Sequence, residues 1–124
     1  MKIVKFLSLL GWQLVLSSSA GAGDQYETEI LAQGLDHPWS MAYISDTQML
    51  VTELSGELKL ITDGQLRPTP IEGVPEVLFA GQGGLSEVLL HPEFEENGFV
   101  YLSFSAPDTQ EPALNSLNVV RARL

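Results

Sequence analysis

The chain has 124 residues, of which 16 are acidic and 6 basic, giving a net charge of −10, and it contains no cysteine. So acidic a surface repels phosphate backbones, which excludes nucleic acid as a natural partner. Without cysteine there is neither a disulfide nor a thiolate metal site, so stability must come from a packed core.

The N-terminus reads as a secretion signal. Lys2 and Lys5 form a positive start, Phe6 to Leu16 is apolar apart from Ser8 and Gln13, and Ala20-Gly21-Ala22 supplies a small-x-small cleavage pattern. Residues 1–22 are expected to be removed after Ala22, with Ala20 as the alternative. The apolar run falls short of the roughly 20 residues that span a bilayer, so no membrane span is expected after cleavage. The destination is the periplasm or the exterior. Residues 1–22 hold two lysines and no acid, so residues 23–124 keep four basic and sixteen acidic side chains, a net charge near −12. No run of acids exceeds Glu95-Glu96, so this charge is a dispersed, solvated coat.

Beyond the leader the chain reads as short strands. Tyr26 to Leu31 is the first, Trp39 to Ile44 the second, and Met49 to Glu53 and Glu57 to Thr62 follow. Turn residues at Ser45-Asp46, Ser55-Gly56 and Asp63-Gly64 recur about every eight to ten positions, the spacing of an antiparallel meander. Asp63-Gly64 suits a two-residue hairpin turn, because glycine accepts positive φ. Val74 to Phe79 is too short for a helix and begins beside Pro75, and no segment carries a helical period. A second set comprises Leu85 to Leu90, Phe99 to Ser105 and Leu117 to Leu124. It echoes the first in order: Ser40–Ile44 with Ser86–Leu90 at an offset of 46, Met49–Thr52 with Phe99–Leu102 at 50, and Leu58–Ile61 with Asn118–Arg121 at 60. Repeats of about 40–50 residues with three or four strands are blades of a β-propeller. The fold expected is therefore all-β, a partial propeller of one to two blades spanning residues 23–124. A propeller needs more blades than this to close, and the chain is strand-like to Leu124. It is expected to be the N-terminal portion of a longer protein, with apolar inter-blade faces left exposed.

Gly81-Gln82-Gly83-Gly84 runs straight into the Leu85–Leu90 strand, which stops at His91-Pro92. A dinucleotide loop needs a third glycine at the position held by Ser86 and a helix after it, and no Gly-Lys-Ser/Thr occurs, so phosphate binding is rejected. Two readings remain open. Gln82 hydrogen-bonds a polar ligand at the mouth of the channel, or the glycines make a plain inter-blade turn with Gln82 in solvent. His37 and His91 each precede a proline, which suits turn histidines, and 54 positions separate them, which does not suit a metal pair. Trp39 fits a core position or a sugar-stacking one. Glu53, Glu57 and Glu87 could form a glycosidase-like acid pair, a weak signal in so acidic a chain.

Taken together, five ordered motifs resemble a known family. They are Leu35-Asp36-His37-Pro38-Trp39-Ser40-Met41-Ala42, Leu50-Val51-Thr52-Glu53, Gly73-Val74-Pro75-Glu76-Val77, Gly81-Gln82-Gly83-Gly84-Leu85 with His91-Pro92-Glu93-Phe94, and Val100-Tyr101-Leu102-Ser103. Residues 30–124 are similar to the glucose/sorbosone dehydrogenase family, above all its periplasmic aldose sugar dehydrogenases dependent on pyrroloquinoline quinone (PQQ). The resemblance implies a six-bladed propeller, PQQ and calcium as cofactors, an aldose oxidised at its anomeric carbon to a lactone, and an external electron acceptor. It assigns Gln82 to sugar binding and no catalytic or metal-binding residue to this chain, since the family's base histidine, cofactor-binding residues and calcium ligands belong to later blades. The chain alone is expected to be inert, and His37 and His91 fall at structural His-Pro positions. Thr52-Glu53-Leu54-Ser55-Gly56-Glu57 lacks two arginines usual in the family, and Ser86-Glu87-Val88 replaces its Leu-Asp-Val. The alternative function is a non-catalytic propeller that binds a sugar or a protein.

Overall fold

The computed structural model describes residues 26–108 and 115–124; the expected signal peptide lies outside the described residues. Strands β1 (Pro38–Ser45), β2 (Gln48–Glu53), β3 (Glu57–Thr62) and β4 (Gln65–Leu66) make one antiparallel sheet in chain order. Strands β5 (Leu85–Leu90), β6 (Phe99–Pro107) and β7 (Asn115–Arg123) make a second. Both are meanders of neighbouring strands, as the all-β propeller reading requires. The turn between β3 and β4 has Asp63 at φ 52° and Gly64 at φ 71°, two consecutive positive values as in the type I′ hairpin expected from Asp-Gly.

One expectation fails. Tyr26 to Leu31 is irregular, because alternation makes a strand only where an open edge accepts it, and no described strand pairs with this segment. A one-turn helix, α1 (Phe94–Asn97), follows the His91-Pro92 turn. It is too short to show a helical period, and Gly98 closes it in the left-handed conformation at φ 66° with its N–H on the Phe94 carbonyl.

The repeat holds in order and in face, but its register is shifted. Ala42 pairs with Leu50, and Leu90 pairs with Val100. If Leu50 matches Val100, the partner of Ala42 in the second sheet is Leu90, two residues beyond Val88. A two-residue slip keeps every side chain on its own face of the sheet, which is why the hydrophobic pattern did not reveal it.

One face of each sheet packs against the other. Leu50 and Leu85 are 0% exposed and cluster with Leu58, Val88, Val100, Leu102 and Phe104, drawing on both sheets. A smaller cluster of Met49, Val51 and Ile61 lies on the far face of the first sheet, covered in part by Ala32 and Leu35 of the N-terminal segment. Polar groups also stitch the sheets together. The fully buried Thr52 hydroxyl accepts from Ser40 N–H at 3.0 Å and donates to the Ser86 carbonyl at 2.5 Å, while Ser40 Oγ accepts from Val88 N–H at 3.3 Å. Thr52→Val keeps the shape and strands the Ser86 carbonyl and Ser40 N–H. A loss of about 1–3 kcal/mol is expected from chemical denaturation of the intact protein. An unchanged midpoint would show that these contacts contribute nothing.

Each outer face carries exposed apolar side chains. Trp39, Met41 and Tyr43 stand half-exposed on the outside of the first sheet, and Leu89, Leu117 and Val119 are exposed on the outside of the second. Trp39 thus lies outside the core seen here. No described helix is long and apolar enough to cross a membrane.

Candidate functional site

The start of β1, the end of β2 and the start of β5 share one end of the stacked sheets. Pro38 pairs with Glu53, and Leu85 N–H bonds the Leu54 carbonyl at 3.2 Å. The loop carrying Gln82 is anchored there. Gly83 N–H bonds the Ala80 carbonyl at 2.9 Å, closing a β-turn in which Gly81 supplies a positive φ of 61°. Leu78 N–H donates to the Ser105 carbonyl and Ser105 N–H to the Gly84 carbonyl, so both flanks of the loop are pinned to β6. Gln82 itself is exposed at the tip. A rigid turn presenting one free amide suits recognition of a hydroxylated ligand, because the amide both donates and accepts and moves no proton.

Glu53–Leu54 is the post on which this end is built. Glu53 is 2% exposed, and its Oε1 accepts the Asp36 N–H at 2.7 Å. Leu54 N–H donates to the His37 carbonyl at 3.0 Å, and its carbonyl receives Leu85 N–H, with the Gly84 backbone pressed against it. His37 sits at φ 49°, its Nδ1 2.6 Å from Asp36 Oδ1 and its ring edge-on to Phe79 at 5.4 Å. The structure therefore brings His37 and Phe79 to the end that holds Gln82. The sequence suggested a turn for His37; the residue lies in a bend just before β1, and its contact with Phe79 had no sign in the sequence.

His91 lies at the other end, where β5 stops. Its Nδ1 is an acceptor for Glu93 N–H at 3.0 Å and Asn97 Nδ2 at 2.8 Å, and its ring stacks on Tyr101. It is a turn-organising histidine. The acid pair does not form either. Lys59 Nζ lies 2.5 Å from Glu57 Oε2 and 3.7 Å from Glu53 Oε2, tying both carboxylates down, and Glu87 is on the other sheet.

The Glu57 hydrogen bond, aided by the charge on both carboxylates and opposed by burial, raises the Lys59 pKa above the ordinary 10.5. A folded state that binds this proton more tightly gains stability that is fully present below 10.5. The gain is lost as pH rises through the folded value. The difference in melting temperature between the natural protein and Lys59→Met should be steady near neutrality and shrink above pH 10.5. A pH-independent difference would contradict the pairing.

Residues 35–124 match the glucose / sorbosone dehydrogenase family model. The chain belongs to this family. An uncharacterized Synechocystis protein is 43% identical over 97 residues, covering 72% of this chain and 23% of its own length. The aldose sugar dehydrogenase YliI of Escherichia coli is 40% identical over 95 residues, covering 74% and 26% respectively. This member of the glucose/sorbosone dehydrogenase family thus spans about a quarter of the length of the curated relatives it matches. The crystal structure of the soluble E. coli aldose sugar dehydrogenase in its apo-form resembles it with a TM-score of 0.70 at 37% identity, covering 77% of this chain and 27% of that one. The PQQ-bound aldose sugar dehydrogenase of Streptomyces coelicolor, at 22% identity and a TM-score of 0.57, shares the fold while covering 75% of this chain and 32% of its own.

No group of three or more His, Asp or Glu residues among those described is placed to hold a metal. Three of the four described basic residues are engaged elsewhere: Lys59 with Glu53 and Glu57, and Arg121 and Arg123 over the Phe99 ring. The described residues do not fit a calcium or quinone site.

Proposed function

We propose that the whole protein of which this chain is a part is a PQQ- and calcium-dependent aldose dehydrogenase of the periplasm or exterior. It would oxidise the anomeric carbon of a sugar to a lactone and pass electrons to an external acceptor. Family membership and the aldose sugar dehydrogenases among the relatives support this reading. In this account residues 23–124 contribute a sugar-recognition loop and no catalyst, and the chain alone is inert. The observation that carries the assignment is Gln82, exposed at the tip of a turn whose flanks are fixed to β6. Its amide would hold a sugar hydroxyl and so fix which carbon faces the reacting groups.

The test is dye reduction by the full-length protein with a panel of aldoses, with and without added PQQ and calcium. Sugar-dependent reduction that needs the quinone is expected. Sugar binding by calorimetry without any quinone-dependent turnover would instead favour a non-catalytic propeller.

A further inference from the structure

We infer that His37, buttressed by Asp36 and Phe79, is a second sugar-binding residue beside the Gln82 loop. The inference rests on the aldose reading above and extends it to a residue for which the motifs imply only a turn role. Four observations converge on it.

First, the two histidines of the chain stand at opposite ends of the sheets. His91 spends Nδ1 on Glu93 N–H and Asn97 Nδ2 at the far end of the sheets. His37 stands at the Gln82 end with its side chain 57% exposed. Second, the Asp36 carboxylate, 2.6 Å from Nδ1, selects the ring form with the proton on that nitrogen. In the neutral ring Nε2 is then an acceptor, ready for a hydroxyl proton.

Third, the backbone around His37 is anchored although its ring is accessible. Glu53 grips the Asp36 N–H, Leu54 N–H grips the His37 carbonyl, and Phe79 meets the ring edge at 5.4 Å. Phe79 is 45% exposed and lies three residues before Gln82, across the Ala80–Gly83 turn. The end therefore offers an amide, an imidazole acceptor and an aromatic surface, a combination suited to a ring that carries both hydroxyls and C–H faces. Fourth, His37 holds a left-handed backbone at φ 49° without being glycine. Such a conformation persists only where its surroundings enforce it, and it gathers at ligand-binding sites.

The test uses the full-length protein loaded with PQQ and calcium. His37→Asn tolerates the left-handed backbone but cannot place an acceptor where Nε2 lies. Its KM for the preferred aldose is expected to rise about 3- to 10-fold, the equilibrium value of one neutral hydrogen bond. The kcat at saturating sugar and the quinone affinity should stay near those of the natural protein. Asp36→Asn keeps the backbone bond to Glu53, and a smaller rise in KM is expected; it decides the question if His37→Asn does not fold. A natural protein that oxidises aldoses together with unchanged KM in both variants overturns the role of His37 and leaves the aldose reading intact. A natural protein that oxidises no aldose overturns both.

Discussion

Gly84→Ala is expected to cost more than about 3 kcal/mol of stability, enough to remove folded protein from a soluble extract. A β-carbon at this position would sit 2.0 Å from the Leu54 carbonyl oxygen, with the Leu54 carbonyl carbon 2.9 Å away. The obstacle is backbone on both counts, so no rotamer change relieves it. Nor can the chain move aside cheaply. Gly84 lies at φ 146°, its carbonyl accepts from Ser105, and the next residue donates to Leu54. Shifting Gly84 would break the junction between the two sheets at the end that carries Gln82. Thermal melts and soluble yield of the intact protein measure the effect. A variant that melts like the natural protein would mean that the close approach of Gly84 to Leu54 does not exist in solution.

Leu50→Ala has the second largest expected effect, a loss of about 2–5 kcal/mol. Leu50 is 0% exposed on β2 and belongs to the cluster that joins both sheets. Truncation removes the transfer free energy of the lost carbons and leaves a cavity walled by side chains of two separate elements. If the sheets fold as one unit, denaturation should stay a single transition at a lower midpoint. Two transitions would show that they are independent.

The sequence made the strands legible where the pattern had one cause. Glu57–Thr62 and Leu85–Leu90 are found with the expected bounds because each is closed by turn residues and carries buried apolar side chains. Tyr26 to Leu31 failed because pairing depends on an available edge, which no local pattern reports. The two-residue slip of the repeat was invisible because both registers put the same side chains inward.

The site was legible in part for a similar reason. The glycines around Gln82 marked a loop with backbone freedom, and only the family resemblance implied sugar binding for Gln82. The contacts that fix its surroundings are long-range. Glu53 reaches Asp36 across 17 residues and Thr52 reaches Ser86 across 34, so neither could be read from spacing. Glu53 is a buried anchor, although in sequence it looked like one of many solvated acids.

The most direct measurement is the steady-state kinetics of Gln82→Ala in the full-length protein reconstituted with PQQ and calcium. Losing one or two neutral hydrogen bonds should raise KM for the aldose about 3- to 30-fold, with quinone affinity unchanged. Unchanged sugar kinetics would contradict the account and leave Gln82 as the solvent-facing tip of an inter-blade turn.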